Sequence, residues 1–135
     1  MKKYLILLFV LVSIISNVYG ESIMKIQVNN QEFNVILENN PTTETLINML
    51  PLQLKMSAMA HEKYYKFPNS LPSNDYFPDI IKAGDVMLYD SKYIVIFYET
   101  FKSSYYYTRI GRIENTTGLA RALGEGNVMA SFSVK

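Results

Sequence analysis

Two arginines near the end of a β-rich segment, Arg109 and Arg112, are the first candidates for binding chemistry in this chain of 135 residues. A guanidinium group presents a fixed fork of N–H donors that suits a carbonyl or carboxylate group. A spacing of three residues places the two side chains on opposite faces of a regular strand, unless a β-bulge at Gly111 turns one of them round. Arg109 directed into the mouth of a β-barrel would hold an anionic or peptide ligand. Alternatively, one arginine pairs with an acidic neighbour such as Glu99.

Tyrosines and one glutamate form the second set of candidates. Tyr105 and Tyr107 share one side of a predicted strand and would make an aromatic shelf for a ligand, although cross-strand packing explains them equally well. Glu62 is followed closely by Tyr64 and Tyr65, and a carboxylate together with a phenol binds polar ligands, but a charged residue at a strand end is usually solvated. The predicted ligand-binding residues are therefore Arg109, Tyr107, Tyr105, Tyr65, Glu62 and Met56.

The residue types needed for several kinds of catalytic or metal site are missing or wrongly spaced. His61 is the only histidine and there is no cysteine, which excludes a metal site built on several histidines or on thiolates. A lone histidine beside an acidic residue is most often a surface residue with a local hydrogen bond. Calcium-loop spacing, a phosphate-binding glycine motif and a serine nucleophile elbow are also absent from the sequence. We predict no catalytic residue, no metal and no cofactor.

The N-terminal 20 residues have the composition of a secretory signal peptide. Lys2 and Lys3 precede a nearly unbroken apolar run, and small and polar residues lead to a cleavage position after Gly20. An uncleaved anchor is the alternative, but the apolar run is shorter than the roughly 18 to 20 residues that a membrane span needs. The sequence thus predicts a signal peptide over 1–20 and one domain over 21–135, secreted or periplasmic in a bacterial cell and without an integral membrane segment.

The charge balance of the predicted mature chain restricts its partners. Without residues 1–20 the chain has 11 Lys and Arg against 12 Asp and Glu, a formal charge of −1. Nucleic acid and anionic membrane surfaces require a basic face on the protein. A peptide, a small molecule or an envelope protein is the expected partner instead.

Short strands separated by turn residues must position these side chains. Three strands are predicted over Asp85–Tyr89, Tyr93–Glu99 and Tyr105–Ile113, joined as a meander at the centre of the sheet. Alternating apolar residues around Asn29-Asn30-Gln31 predict an earlier hairpin, Met24–Val28 with Phe33–Leu37. Further strands are expected from Leu52 to Met56, within the segment 58–67, which is either one bent strand or two strands, and over Gly126–Val134.

Two short helices and one long loop complete the predicted elements. Asn40 and Pro41 begin the first helix, whose core face is Leu46, Ile47, Met49 and Leu50. The second helix, 118–123, is expected to be capped by Asn115-Thr116-Thr117 and closed by Gly124. The proline-rich segment 68–79 is predicted to be an irregular loop, tied to the barrel by Tyr76 and Phe77. About eight short strands in so few residues favour a small closed barrel, which leaves no exposed sheet edge.

An ordered set of motifs connects this chain with a known family. They are Leu50-Pro51-Leu52, Glu62-Lys63-Tyr64-Tyr65, Leu71-Pro72, the run Ile81 to Tyr89, the run Tyr107 to Ile113, and Gly118-Leu119-Ala120 with Leu123-Gly124. From about Met24 to Val134 the chain resembles the bacterial cyclophilin-like domain family. The resemblance implies a mainly β fold, the closed eight-stranded barrel of cyclophilins with two short helices. It does not imply catalysis, because the chain lacks tryptophan and the arginine-to-glutamine run of the peptidyl-prolyl isomerases.

Three functions are compatible with these observations. The favoured hypothesis is an exported, non-catalytic module that binds a peptide or small ligand. The alternative is a peptidyl-prolyl cis-trans isomerase with a remodelled site, in which Arg109 polarises the prolyl amide and the tyrosines form the proline pocket. The third is a structural accessory of an envelope protein, recognised through an uncovered apolar patch.

Overall fold

The computed structural model describes residues 22–135, which contain ten strands and two helices. The predicted signal peptide, 1–20, lies outside the described residues. Within 22–135, no helix is both long and apolar enough to cross a membrane. The elements in chain order are β1 (Ile23–Val28), β2 (Gln31–Leu37), α1 (Pro41–Met49), β3 (Leu52–Met59), β4 (Glu62–Lys66), β5 (Ile80–Ile81), β6 (Asp85–Tyr89), β7 (Tyr93–Phe97), β8 (Phe101–Lys102), β9 (Thr108–Ile113), α2 (Leu119–Leu123) and β10 (Val128–Val134).

Eight of the strands form a closed antiparallel barrel, which confirms the predicted fold. Around the barrel the order is β1-β10-β3-β4-β7-β6-β9-β2, and β2 pairs again with β1. The two remaining strands, β5 and β8, form a separate two-stranded sheet. Every barrel strand thus finds both of its neighbours within residues 22–135, so this part of the chain is sufficient to form the barrel.

The first hairpin follows the sequence prediction closely. Asn29 and Asn30 both have positive φ, 48° and 67°, which matches the right-handed twist of the two flanking strands. Ile26 lies opposite Phe33, and both side chains are buried in the barrel interior. Alternation of apolar and polar residues therefore selects the correct inward face of both strands.

The central strands are not a simple meander, which corrects the predicted order. β6 and β7 form a hairpin, but β9 pairs with the other side of β6, while β7 pairs with β4. The third strand also begins at Thr108 instead of Tyr105, and only Tyr107 before it makes an isolated bridge, to Tyr76. The reason is that β7 is apolar along its whole length and is buried on both faces, so residues 98–107 leave the sheet and cover its outer side.

Two apolar clusters lie on the two sides of the barrel wall. The larger one fills the barrel interior and includes Val86, Leu88, Ile94 and Ile96. The smaller one, called here the outer cluster, consists of Ile81, Met87, Val95, Phe97 and Tyr107. Strands β6 and β7 thus alternate between the interior and the outer cluster, which explains why nearly all of their residues are buried.

Tyr76 ties the loop 68–79 to the barrel, as predicted, but it does so by hydrogen bonds and not by burying its ring. The side chains of Tyr76 and Phe77 are 39% and 40% exposed, so they do not pack into the barrel. Leu71 is the loop residue that is buried in the interior cluster. The main chain of Tyr76 exchanges two hydrogen bonds of 2.9 and 3.0 Å with that of Tyr107, and its hydroxyl accepts a hydrogen bond from Arg109 Nε on β9.

The helix ends show one confirmed cap and one correction. Asn40 caps α1 by accepting a hydrogen bond from the Thr43 N–H, but of the predicted core face only Leu46 is fully buried. Helix α2 begins after Gly118, which has a φ of 80° and provides no side-chain cap. The predicted cap is wrong because Asn115 accepts its hydrogen bond from the Thr117 N–H, one turn before the helix.

Candidate functional site

A groove on the outer wall of the barrel is lined mainly by tyrosines. Its volume is about 300 Å³, and we call it the tyrosine groove. The lining residues are Met59, Glu62, Tyr64, Tyr89, Tyr93, Val95, Tyr105 and Tyr107. Apolar walls with a few polar groups are typical of binding sites in proteins.

Strand alternation places most of the lining residues on this wall. In β4, Lys63 is buried toward the interior, so that Glu62 and Tyr64 on either side of it face outward. The same alternation in the β6–β7 hairpin turns Tyr89 and Tyr93 outward. The segment 98–107 then brings Tyr105 and Tyr107 to the same wall.

Ring contacts connect the tyrosines into one continuous surface. The centroid of the Tyr89 ring lies 5.6 Å from those of both Tyr105 and Tyr107, and 6.0 Å from that of Tyr93. Tyr64 extends the row, with its ring centroid 6.0 Å from that of Tyr93. The interplanar angles of these pairs lie between 52° and 73°, in the range of tilted and edge-to-face packing. The groove is therefore built on rings that hold each other in place.

Burial changes the acid–base properties of two groove residues. Desolvation raises the pKa of Glu62, and the charge of the neighbouring His61 opposes this only in part. Desolvation, followed by the nearby Glu62, Tyr89 and Tyr105, raises the pKa of Tyr107 to about 12. Tyr107 is thus a neutral phenol at physiological pH, and Glu62 is the one acidic residue in the groove lining.

Three of the six predicted site residues lie together in the groove, and the other three, Met56, Tyr65 and Arg109, do not line it. Glu62, Tyr105 and Tyr107 are lining residues. Met56 is fully buried in the interior, and Tyr65, opposite Ile94, packs against the same interior cluster. The structure does not bring Met56 and Tyr65 together with the other three, because both lie on the inward face of their strands.

The predicted site omits five of the tyrosine groove's residues, Met59, Tyr64, Tyr89, Tyr93 and Val95. For one of them, Tyr64, the sequence carries a usable signal. Tyr64 is two positions after Glu62, so the period of a strand places both on the same face. Tyr89 and Tyr93 stand at the two ends of a tight hairpin, and Met59 precedes another turn. Only the observed path of residues 98–107 shows that these strand ends border a common groove.

Arg109 and Arg112 share the outer face because β9 has a bulge. Val86 lies opposite Gly111 and Met87 opposite Arg109, which leaves Ile110 as an extra residue between the two pairs. Arg109 is therefore next to a residue of the outer cluster, and Arg112 is opposite Asp85. Arg109 is thus not directed into the barrel mouth, and of the two alternatives the structure shows the pairing with an acidic neighbour, Asp85.

The Arg109 guanidinium is already bound by the protein. Its Nη1 donates to Oδ1 of Asp85 at 2.9 Å, and its Nε donates to the Tyr76 hydroxyl at 3.2 Å. Burial lowers the pKa of Arg109, but the hydrogen bonds and charges of Asp85 and Tyr76 together raise it more, so the net shift is upward. Arg109 lines two other grooves, next to Glu38 and Tyr76, and does not line the tyrosine groove.

His61 and Glu99 form a pair near one end of the tyrosine groove. His61 Nδ1 lies 2.6 Å from Oε2 of Glu99, and its ring stacks on Phe101 with a centroid distance of 4.6 Å. Glu99, the suggested partner for an arginine, is thus bound to His61. Among residues 22–135, no three His, Asp or Glu side chains come together as a metal site.

The fold is a small closed barrel of eight antiparallel strands with two short helices. The chain belongs to the cyclophilin-like family, whose sequence profile matches residues 26–133. Among solved structures, the hypothetical protein AF2241 from Archaeoglobus fulgidus is similar, with a TM-score of 0.57 and 16% identity over 85% of this chain and 95% of that chain. At this identity the similarity shows the fold alone. No curated protein shows significant similarity to the chain.

Proposed function

We propose that this protein is an exported, non-catalytic binding module that holds a segment of peptide in the tyrosine groove. The observation that supports the proposal is the row of five tyrosines on the outer barrel wall, with a single carboxylate among them. Export rests on the sequence of residues 1–20, and we propose a secreted or periplasmic location for the mature chain.

The composition of the groove favours a peptide over a larger cofactor. Tyrosine offers a large contact area at a low cost in side-chain entropy, and its hydroxyl adds a hydrogen-bonding group. Within residues 22–135, the hydroxyl groups of the five groove tyrosines make no hydrogen bond to another protein group and are therefore available to peptide amides. A volume of about 300 Å³ suits one or two side chains of an extended segment.

The alternative function, a peptidyl-prolyl isomerase, gains no support from the geometry. That hypothesis gave Arg109 the task of polarising a prolyl amide held by Tyr105 and Tyr107. Arg109 instead lies outside the tyrosine groove and is bound by Asp85 and Tyr76.

The proposal is tested by a two-dimensional amide NMR titration of residues 21–135 with proline-containing peptides, recorded with exchange spectra that follow cis and trans populations. We expect shifts on β4, β6 and β7 without accelerated exchange. Tyr105→Ala should weaken binding at least fivefold, because this ring is a lining residue that is 57% exposed. Tyr106→Ala is the matched control, since this neighbouring ring is 61% exposed and is not part of the lining.

Two results would contradict the proposal. Shifts confined to other surfaces, or equal effects of the two alanine variants, would place binding outside the groove. Accelerated cis–trans exchange would show that the module is catalytic.

A further inference from the structure

The lining of the tyrosine groove contains an acidic side chain but no basic one. Of its eight lining residues, Glu62 is acidic, and none is lysine, arginine or histidine. The other seven are five tyrosines, Met59 and Val95. A ligand that is complementary to this groove is therefore cationic at one point and apolar elsewhere.

The Glu62 carboxylate has no side-chain partner in the described part of the chain. Three ion pairs occur there, Lys25–Glu32, His61–Glu99 and Arg109–Asp85, and Glu62 takes part in none of them. The adjacent His61 directs its Nδ1 to Glu99 instead. A partly desolvated carboxylate without a partner is costly, and a ligand cation would offset this cost on binding.

The tyrosine rings provide a second source of attraction for a cation. The face of an aromatic ring attracts an ammonium or guanidinium group within about 6 Å of its centroid. The Tyr93 ring already makes such a cation–π contact, because Lys66 Nζ lies 5.7 Å from its centroid. Tyr89, Tyr105 and Tyr107 offer further rings around Glu62 in the same groove.

Building on the proposed peptide-binding function, we propose that the groove selects a peptide with a lysine or arginine side chain. The charged end of that side chain binds the Glu62 carboxylate, and its methylene stem packs on the tyrosine rings. A basic side chain satisfies both the single negative charge and the apolar walls of a groove of about 300 Å³.

The test compares two matched pairs of proline-containing peptides by NMR titration of residues 21–135. In one pair lysine is replaced by norleucine, and in the other arginine is replaced by citrulline, so that each pair differs in charge at nearly constant shape. We expect the charged member of each pair to bind at least tenfold more tightly at low salt. Glu62→Gln should reduce this ratio to about one, because it removes the negative charge of the lining.

Glu99→Gln is the matched control variant. Glu99 is an acidic residue near the groove, but it is paired with His61 and is not a lining residue. The charge preference should survive in this variant. A preference that disappears equally in both variants would show a general charge effect and would overturn the inference.

The remaining outcomes separate the two proposals. Equal binding of charged and neutral peptides by the unmodified protein, or a full charge preference in Glu62→Gln, would overturn the inference and leave the peptide-binding function in place. No binding by any of the four peptides would overturn the peptide-binding function and the inference with it.

Discussion

Arg109 and Asp85 form an ion pair of 2.9 Å between the neighbouring strands β9 and β6, although Asp85 lies opposite Arg112 in the strand register. The bulge at Ile110 brings Arg109 within reach of this carboxylate. Asp85 is buried, and its second oxygen accepts a hydrogen bond from the Lys82 N–H at 2.9 Å. Asp85 therefore links the Arg109 side chain on β9 to the main chain at Lys82, just before β6 begins.

Asp85→Ala is expected to destabilise the protein by about 2 to 3 kcal/mol, because it leaves the partly buried Arg109 without its partner. Urea unfolding measures the loss. Glu32→Ala is the control, since Glu32 forms an exposed pair with Lys25 at 3.6 Å and should cost less than about 1 kcal/mol. Similar losses in the two variants would contradict a structural role for the Asp85 pair.

Lys63 provides a test that depends on pH. Its side chain is 1% exposed inside the barrel, and Nζ donates to the Gly126 carbonyl at 2.6 Å. Burial lowers the pKa of Lys63 from its ordinary 10.5, and the charge of Glu125 opposes this shift. Between the lowered pKa and 10.5 the unfolded chain binds more protons than the native one, so the contribution of Lys63 to stability increases as pH rises.

The measurement is the difference in free energy of unfolding between the unmodified protein and Lys63→Met from pH 7 to 10. We expect the difference to shift in favour of the unmodified protein as pH rises. Lys55→Met, on the exposed side of β3, is the control and should show no such trend. A difference that is constant or falls with pH would show that Lys63 is not desolvated.

Gly111 is needed for the close approach of β9 to β2. A Cβ atom at this position would overlap the carbonyl oxygen of Ile36 and lie 2.9 Å from Cγ1 of Val35. Gly111→Ala should therefore cost about 3 kcal/mol. Gly126→Ala is the comparison, because its φ of 70° strains alanine but no atom lies within 4 Å, and about 1 kcal/mol is expected. Thermal and urea unfolding rank the two variants, and an equal cost would contradict the steric explanation.

Tyr107 should ionise at an unusually high pH. Its pKa of about 12 predicts that the difference in absorbance near 295 nm between the unmodified protein and Tyr107→Phe appears at about pH 12. In the urea-unfolded chain the same difference should appear at about pH 10. Because the unfolded state loses this proton first, Tyr107 should lower the stability of the native state as pH rises from 10 to 12. Ionisation at about pH 10 in the native state would show that the ring is solvated.

The fold was predictable from local patterns, but the pairing order was not. Apolar alternation and the Asn29-Asn30 turn identify a hairpin without any long-range information. The position of β9 beside β6 depends on how residues 98–107 cover the outer cluster. That arrangement buries the outer cluster, whose members come from distant parts of the chain, so no short stretch of sequence encodes it.

The residue types of the candidate site could be predicted from the sequence, but which residues line it could be predicted only in part. Glu62, Tyr105 and Tyr107 were recognised from their residue types. Tyr65 was placed in the site in preference to Tyr64, although strand alternation favours Tyr64 as the neighbour of Glu62. The direction of the Arg109 side chain depends on a one-residue bulge in β9. The position of this bulge follows from the pairing of β9 with β6 and is not visible in either strand alone.

The pairing of β1 with β10 brings both ends of the described chain to one place, since Met24 lies opposite Val134 and the Lys135 N–H donates to the Ile23 carbonyl at 3.2 Å. A short linker could join these ends, and the chain could then be reopened in the turn at Asn29 and Asn30. Such a circular permutant would retain every hydrogen-bonded strand pair, so the ring of pairs, and not the covalent order of the strands, defines the wall that carries the groove.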